Sequence, residues 1–75
     1  MPDDEFIDIT TEQCPMTFVR VKLKLESMQS GRRLLVRLNR GEPLINVPRS
    51  LQDEHYQISQ PQPDGEAMVL LVTKP

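Results

Sequence analysis

Seventy-five residues make a single domain, 1–75, with a small core and little stability in reserve. One cysteine excludes an internal disulfide, and the acidic start MPDDEF and the lack of any apolar run near the roughly 20 residues that cross a bilayer predict a cytoplasmic chain without signal peptide or membrane span. The formal charge of −2 is uneven, with −5 over residues 1–19, +6 over 20–40 and −3 over 41–75, so a basic middle lies between acidic ends, as a surface for acidic protein or nucleic acid or as an ordinary solvated face.

In EFIDIT, Phe6, Ile7 and Ile9 supply β-favouring side chains, which predicts a strand over residues 5–10. The segment CPMTFVRVKLKLESM is ambiguous by periodicity. Val19 to Glu26 alternates strictly, as a strand would, yet Phe18, Val21, Leu25 and Met28 also recur on one side of a helix. The flanks favour the helix: Pro15 suits a first turn, Gly31 a C-terminal cap, the span between them exceeds an ordinary strand, and good helix formers dominate it. Val19 and Leu23 then fall off the main apolar stripe and need a wide buried face or a partner.

RRLLVRLN predicts a second strand over 32–39, and RGEPL a turn or loop. NVPRSLQDEH reads as a short helix capped by Asn46, with Pro48 in its first turn and Leu51 inward. YQISQ predicts a third strand, PQPDG a turn and EAMVLLVTK a final strand, the last two strands pairing antiparallel.

If Pro15 opens the helix, Cys14 occupies the cap, where unpaired first-turn N–H groups converge and lower a thiol's pKa. Glu12 opposes that effect and Arg20 assists it if the helix turns it that way. The alternative is a small buried hydrophobe, the commoner fate of a lone cysteine. A dithiol redox cycle within the chain is excluded, whereas a carried persulfide gains from the absence of a second thiol, which would attack its inner sulfur. His55 lies far along the chain, better read as a helix-end residue than as a Cys-His dyad partner, and no metal-ligand spacing is present.

The order of elements together with Cys14-Pro15, the glycine before GRRLLV and the proline-bearing GEPLINVP resembles the TusA/SirA family of small sulfur-carrier proteins over nearly the full length. The resemblance implies an α+β fold, a two-layer α/β sandwich ordered β-α-β-α-β-β, with a four-stranded mixed sheet and two helices on one face. It implies that Cys14 accepts sulfane sulfur as a persulfide from a cysteine desulfurase or rhodanese-type donor and passes it on, without cofactor or metal and without independent turnover, in tRNA thiolation, cofactor synthesis or sulfur metabolism. Pro15 and Thr17 would shape the helix start, Thr17 standing where the family motif Cys-Pro-x-Pro has its second proline. Asn39, Arg40 and Asn46 stand where the family commonly has acidic residues, which changes the surface a partner touches.

Arg20, Lys22, Arg32 and Arg33 are the candidates for docking acidic partners of a monomeric carrier. Two rival readings use the basic face without the thiol: a regulatory adaptor, and an RNA-binding module. The second is disfavoured by having only three aromatics for base stacking and no GXXG loop.

Overall fold

The structure is a computed structural model that describes residues 4–12 and 16–75. Its elements are β1 (Asp4–Asp8), α1 (Met16–Glu26), β2 (Arg33–Asn39), α2 (Glu42–Asp53), β3 (Gln57–Ile58), β4 (Gln62–Asp64) and β5 (Ala67–Thr73). The sheet runs β1-β2-β5-β3, with β4 also on β5; β1 pairs parallel to β2, and β5 lies antiparallel to β2, β3 and β4. β1, β2 and β3 therefore share one direction, and each helix is the crossover between two of them.

Alternation decides which face of the sheet is dry. In β2, Leu34, Val36 and Leu38 are buried between less buried neighbours, and their partners on β5 include Val72 and Leu70, also buried. Onto this face α1 presents Val21 and Leu25, with Met28 just beyond the helix, and α2 presents Val47 and Leu51. The opposite face is open, and Phe6 is 55% exposed there beside Leu35. The helix-period reading of the second segment thus holds. Val19 and Leu23, off the buried stripe, point to solvent.

Beyond β1 ending at Asp8 rather than residue 10 and the third strand shortening to Gln57–Ile58, three features differ from expectation. Gly31 does not cap α1: the helix stops at Glu26, where Ser27 Oγ donates to Lys24 O at 2.7 Å, and Gly31, at φ 87, turns the chain into β2 with its N–H on Lys74 O. Lys74 also reaches back, its Nζ donating to Met28 O at 2.7 Å just past the helix end.

The second helix starts at Glu42 rather than after Asn46, because Pro43 takes the first turn that Pro48 was expected to fill. Pro48 sits inside α2, and the inward spacing Leu44, Val47, Leu51 outweighs the N–H it lacks.

Finally, PQPDG is not only a turn. β5 is long enough to pair with β3 at Val72 and Thr73 and with β4 at Ala67 to Val69, which makes five strands instead of four. Ser59 bridges the break by exchanging hydrogen bonds with the Leu71 backbone, and Pro63 is tolerated because β4 is an edge.

The end of α2 explains His55. Tyr56 N–H donates to Leu51 O and His55 N–H to Gln52 O, a Schellman closure that places His55 at φ 71. The imidazole is exposed at a helix end, as expected, and its backbone occupies a position better suited to glycine. His55→Gly is expected to raise the unfolding free energy by about 1 kcal/mol in urea denaturation. Leu25→Ala, which opens a cavity between α1 and the sheet, is expected to cost about 2–5 kcal/mol, enough to unfold much of so small a domain.

Candidate functional site

Because β1 and β2 are parallel, α1 begins at the carboxyl end of β1 and α2 at the carboxyl end of β2, so both helix N-termini lie at one end of the sheet. That end collects the free first-turn amides of both helices and their partial positive charge. Gln13, Cys14 and Pro15 lie outside the described residues; the chain enters them from Glu12 and leaves them into α1 at Met16. Thr17 is wholly buried in the first turn of α1, and no buried side-chain polar atom among the described residues lacks a hydrogen-bond partner. Threonine at this position thus packs against the core and keeps its hydroxyl satisfied.

The approach to Cys14 is held by β2. Arg37 donates from a terminal guanidinium nitrogen to Asp8 Oδ2 at 3.2 Å and from Nε to Asp64 Oδ2 at 2.9 Å, linking β1, β2 and β4 on the open face of the sheet. The other oxygen of Asp8 accepts the Thr10 N–H at 2.9 Å and the Thr10 hydroxyl at 2.7 Å. Glu12 N–H donates to Ile9 O, and Ile9, 1% exposed, anchors the turn in the core. Asn39 Nδ2 donates to Thr10 O at 2.6 Å. The Thr10 hydroxyl and N–H, followed by Arg37, hold the Asp8 carboxyl below the ordinary carboxylate range.

The four basic docking candidates do not gather into one patch. Arg20 is exposed on α1 with no ion-pair partner among the described residues. Lys22 faces α2, where it meets Glu54 Oε1 at 3.0 Å and lies 6.0 Å from the Phe18 ring centroid. The hydrogen bond and charge of Glu54 raise its pKa. Arg32 and Arg33 are at the amino end of β2, about 20 Å from its carboxyl end at 3.3 Å per residue. Arg32 is 3.8 Å from Glu5 Oε2, and the same carboxylate meets Lys24 Nζ at 2.6 Å.

The outer side of α1 carries an apolar feature that charge does not mark. Met16, Val19 and Leu23, 47%, 36% and 59% exposed, form an apolar stripe along the outer side of α1, with Arg20 beside it. The signal was present in the sequence as apolar residues left over once the inward stripe had been assigned. No group of three or more His, Cys, Asp or Glu among the described residues is placed to hold a metal ion.

The sequence model of the family described as Sulfurtransferase TusA matches residues 5–74. The chain belongs to the TusA family. A protein of Archaeoglobus fulgidus named "Putative sulfur carrier protein" is 40% identical to this TusA-family chain over 63 residues, which are 84% of this chain and 72% of that protein. The crystal structure of a SirA-like protein from Desulfitobacterium hafniense superposes with a TM-score of 0.78 at 19% identity, covering 91% of this chain and 93% of that one, and so shares the fold. A sulfur-carrier role and a sulfur relay with protein partners follow from the family. Among the described residues, no helix is long and apolar enough to cross a membrane.

The lowered Asp8 pKa fixes the sign of a pH effect on this turn. The contribution of Asp8 to stability is complete above the unfolded carboxylate value and is lost as pH falls through the folded one. Acid titration below about pH 4 should therefore lower unfolding free energy and speed Thr10 amide exchange, and Asp8→Asn should flatten that part of the curve.

Proposed function

We propose that this TusA-family protein carries sulfane sulfur as a persulfide on Cys14 in a cytoplasmic relay. The observation that carries the reading is the Cys14-Pro15 pair directly ahead of α1 in sequence, α1 being one of two helices whose N-termini lie at the same end of the sheet. Family membership supports it independently.

The Cys14 thiolate attacks the terminal sulfur of a donor persulfide, on a cysteine desulfurase or a rhodanese-type enzyme. The donor's S–S bond breaks, its cysteine leaves as thiolate, and the new S–S bond lies on Cys14. The oxidation level moves with the sulfur, so no oxidant, reductant or cofactor is consumed. In the second transfer an acceptor thiolate attacks that terminal sulfur and Cys14 leaves as thiolate. First-turn amides stabilise the anion at both stages, with Pro15 and the buried Thr17 fixing where the turn begins. No second cysteine in this chain competes for the inner sulfur.

Docking uses the outer side of α1. Arg20 attracts an acidic partner surface while Met16, Val19 and Leu23 give it an apolar contact on the same helix that follows Cys14. Lys22, Arg32 and Arg33 contribute to the same attraction at longer range, tempered in Lys22 and Arg32 by their own acidic partners. The carrier acts as a monomer.

Incubation with a cysteine desulfurase and cysteine should add the mass of one sulfur atom to the intact protein, removable by a thiol reductant and absent in Cys14→Ser. Failure to load from any persulfide donor would overturn the relay and leave a protein-binding adaptor. Arg20→Glu is expected to slow loading by about tenfold at low ionic strength, with the difference shrinking as salt is added, measured by stopped-time mass spectrometry.

A further inference from the structure

We propose that Asn39 is a positioning residue for Cys14, which it serves by clamping the β1–α1 connection at Thr10; the inference rests on the reading of Cys14 as the working thiol. The clamp is complete around one residue. Thr10 gives its N–H and hydroxyl to Asp8 Oδ1, and its carbonyl accepts the Asn39 amide at 2.6 Å, so neither side of the residue is left to water alone. Only the amide nitrogen of Asn39 can face a carbonyl oxygen, so chemistry fixes the orientation of the side chain.

Both arms of the clamp start from β2. Asp8 is held by Arg37, and Asn39 is two residues further along the same strand, on the same face. Ile9 N–H on Arg37 O adds a backbone tie between them, and Glu12 N–H on Ile9 O closes the turn that follows. The segment delivering the chain to Cys14 is therefore set by the rigid carboxyl end of a central strand.

A carboxylate at position 39 could not make the Asn39 bond, because it would set an acceptor against an acceptor. The exposure of Asn39 suits a partner-facing residue, but its amide is engaged by the Thr10 carbonyl. A thiol whose approach is fixed can be held over the first-turn amides; one on a loose connection samples positions away from them and ionises less readily.

The test is the pH profile of Cys14 alkylation by iodoacetamide in the full chain, wild type against Asn39→Ala and the bulk-preserving Asn39→Leu. Gln62→Ala on β4 is the control, and urea unfolding checks that each variant is folded. The expected result is an upward shift of the alkylation midpoint in both Asn39 variants, a severalfold slower reaction at neutral pH, faster amide exchange at Thr10 to Glu12, and a control that overlays the wild type. Folded Asn39 variants with the wild-type profile would overturn the proposal, whatever their stability. Sulfur loading separates the two claims: a wild type that takes up no sulfur, with Asn39 variants still shifted, removes the relay and keeps the positioning role. Normal loading with unshifted variants does the reverse.

Discussion

The packing of two amphipathic helices onto one face of the sheet is what the remaining features depend on. Val21 and Leu25 from α1 and Val47 and Leu51 from α2 meet Leu34, Val36, Leu70 and Val72, which together form the hydrophobic core of the described residues. Since β1, β2 and β3 run the same way, covering one face with the crossovers obliges both helices to start at the same end. The electrostatic character of that end is therefore a consequence of burial and chain direction, with no residue placed there for the purpose. Surface ion pairs such as Glu5 with Lys24 and Lys22 with Glu54 tie the helices to their neighbours, but water and salt screen them.

The same constraint explains how much could be read in advance. The helical reading of α1 came from its flank and composition, Pro15 before it and strong helix formers within it, because the apolar spacing alone also fitted a strand. The family motif at Cys14 and Pro15 was legible because it is local. The start of α2 was not, since two prolines compete for the first turn and only the packing of Leu44 with Val47 and Leu51 chooses Pro43. β4 was hidden for a similar reason. Its Gln-Pro-Asp has no strand character of its own and is ordered by the length of β5.

Around the candidate site the divide is between local and distant contacts. Pro15, expected to open the helix, and Thr17, in its first turn, are neighbours of Cys14 in sequence. The bond from Asn39 to Thr10 joins residues 29 apart, as does the Arg37 pair with Asp8, and no spacing rule connects them. Basic residues were visible by type, yet their use was not: Lys22 and Arg32 already have carboxylate neighbours, while Arg20, without an ion pair among the described residues, lies beside an apolar stripe.

β5, the last strand in chain order, sits in the interior of the sheet, with β2 along one side and β3 and β4 along the other. During synthesis the earlier strands emerge with their inner hydrogen-bonding edges vacant, and residues 4–66 alone cannot close them. The full sheet therefore closes only once residues 67–73 are available, and until then β2 keeps one backbone edge unpaired while Leu34, Val36 and Leu38 lack their cross-strand partners Val72, Leu70 and Met68.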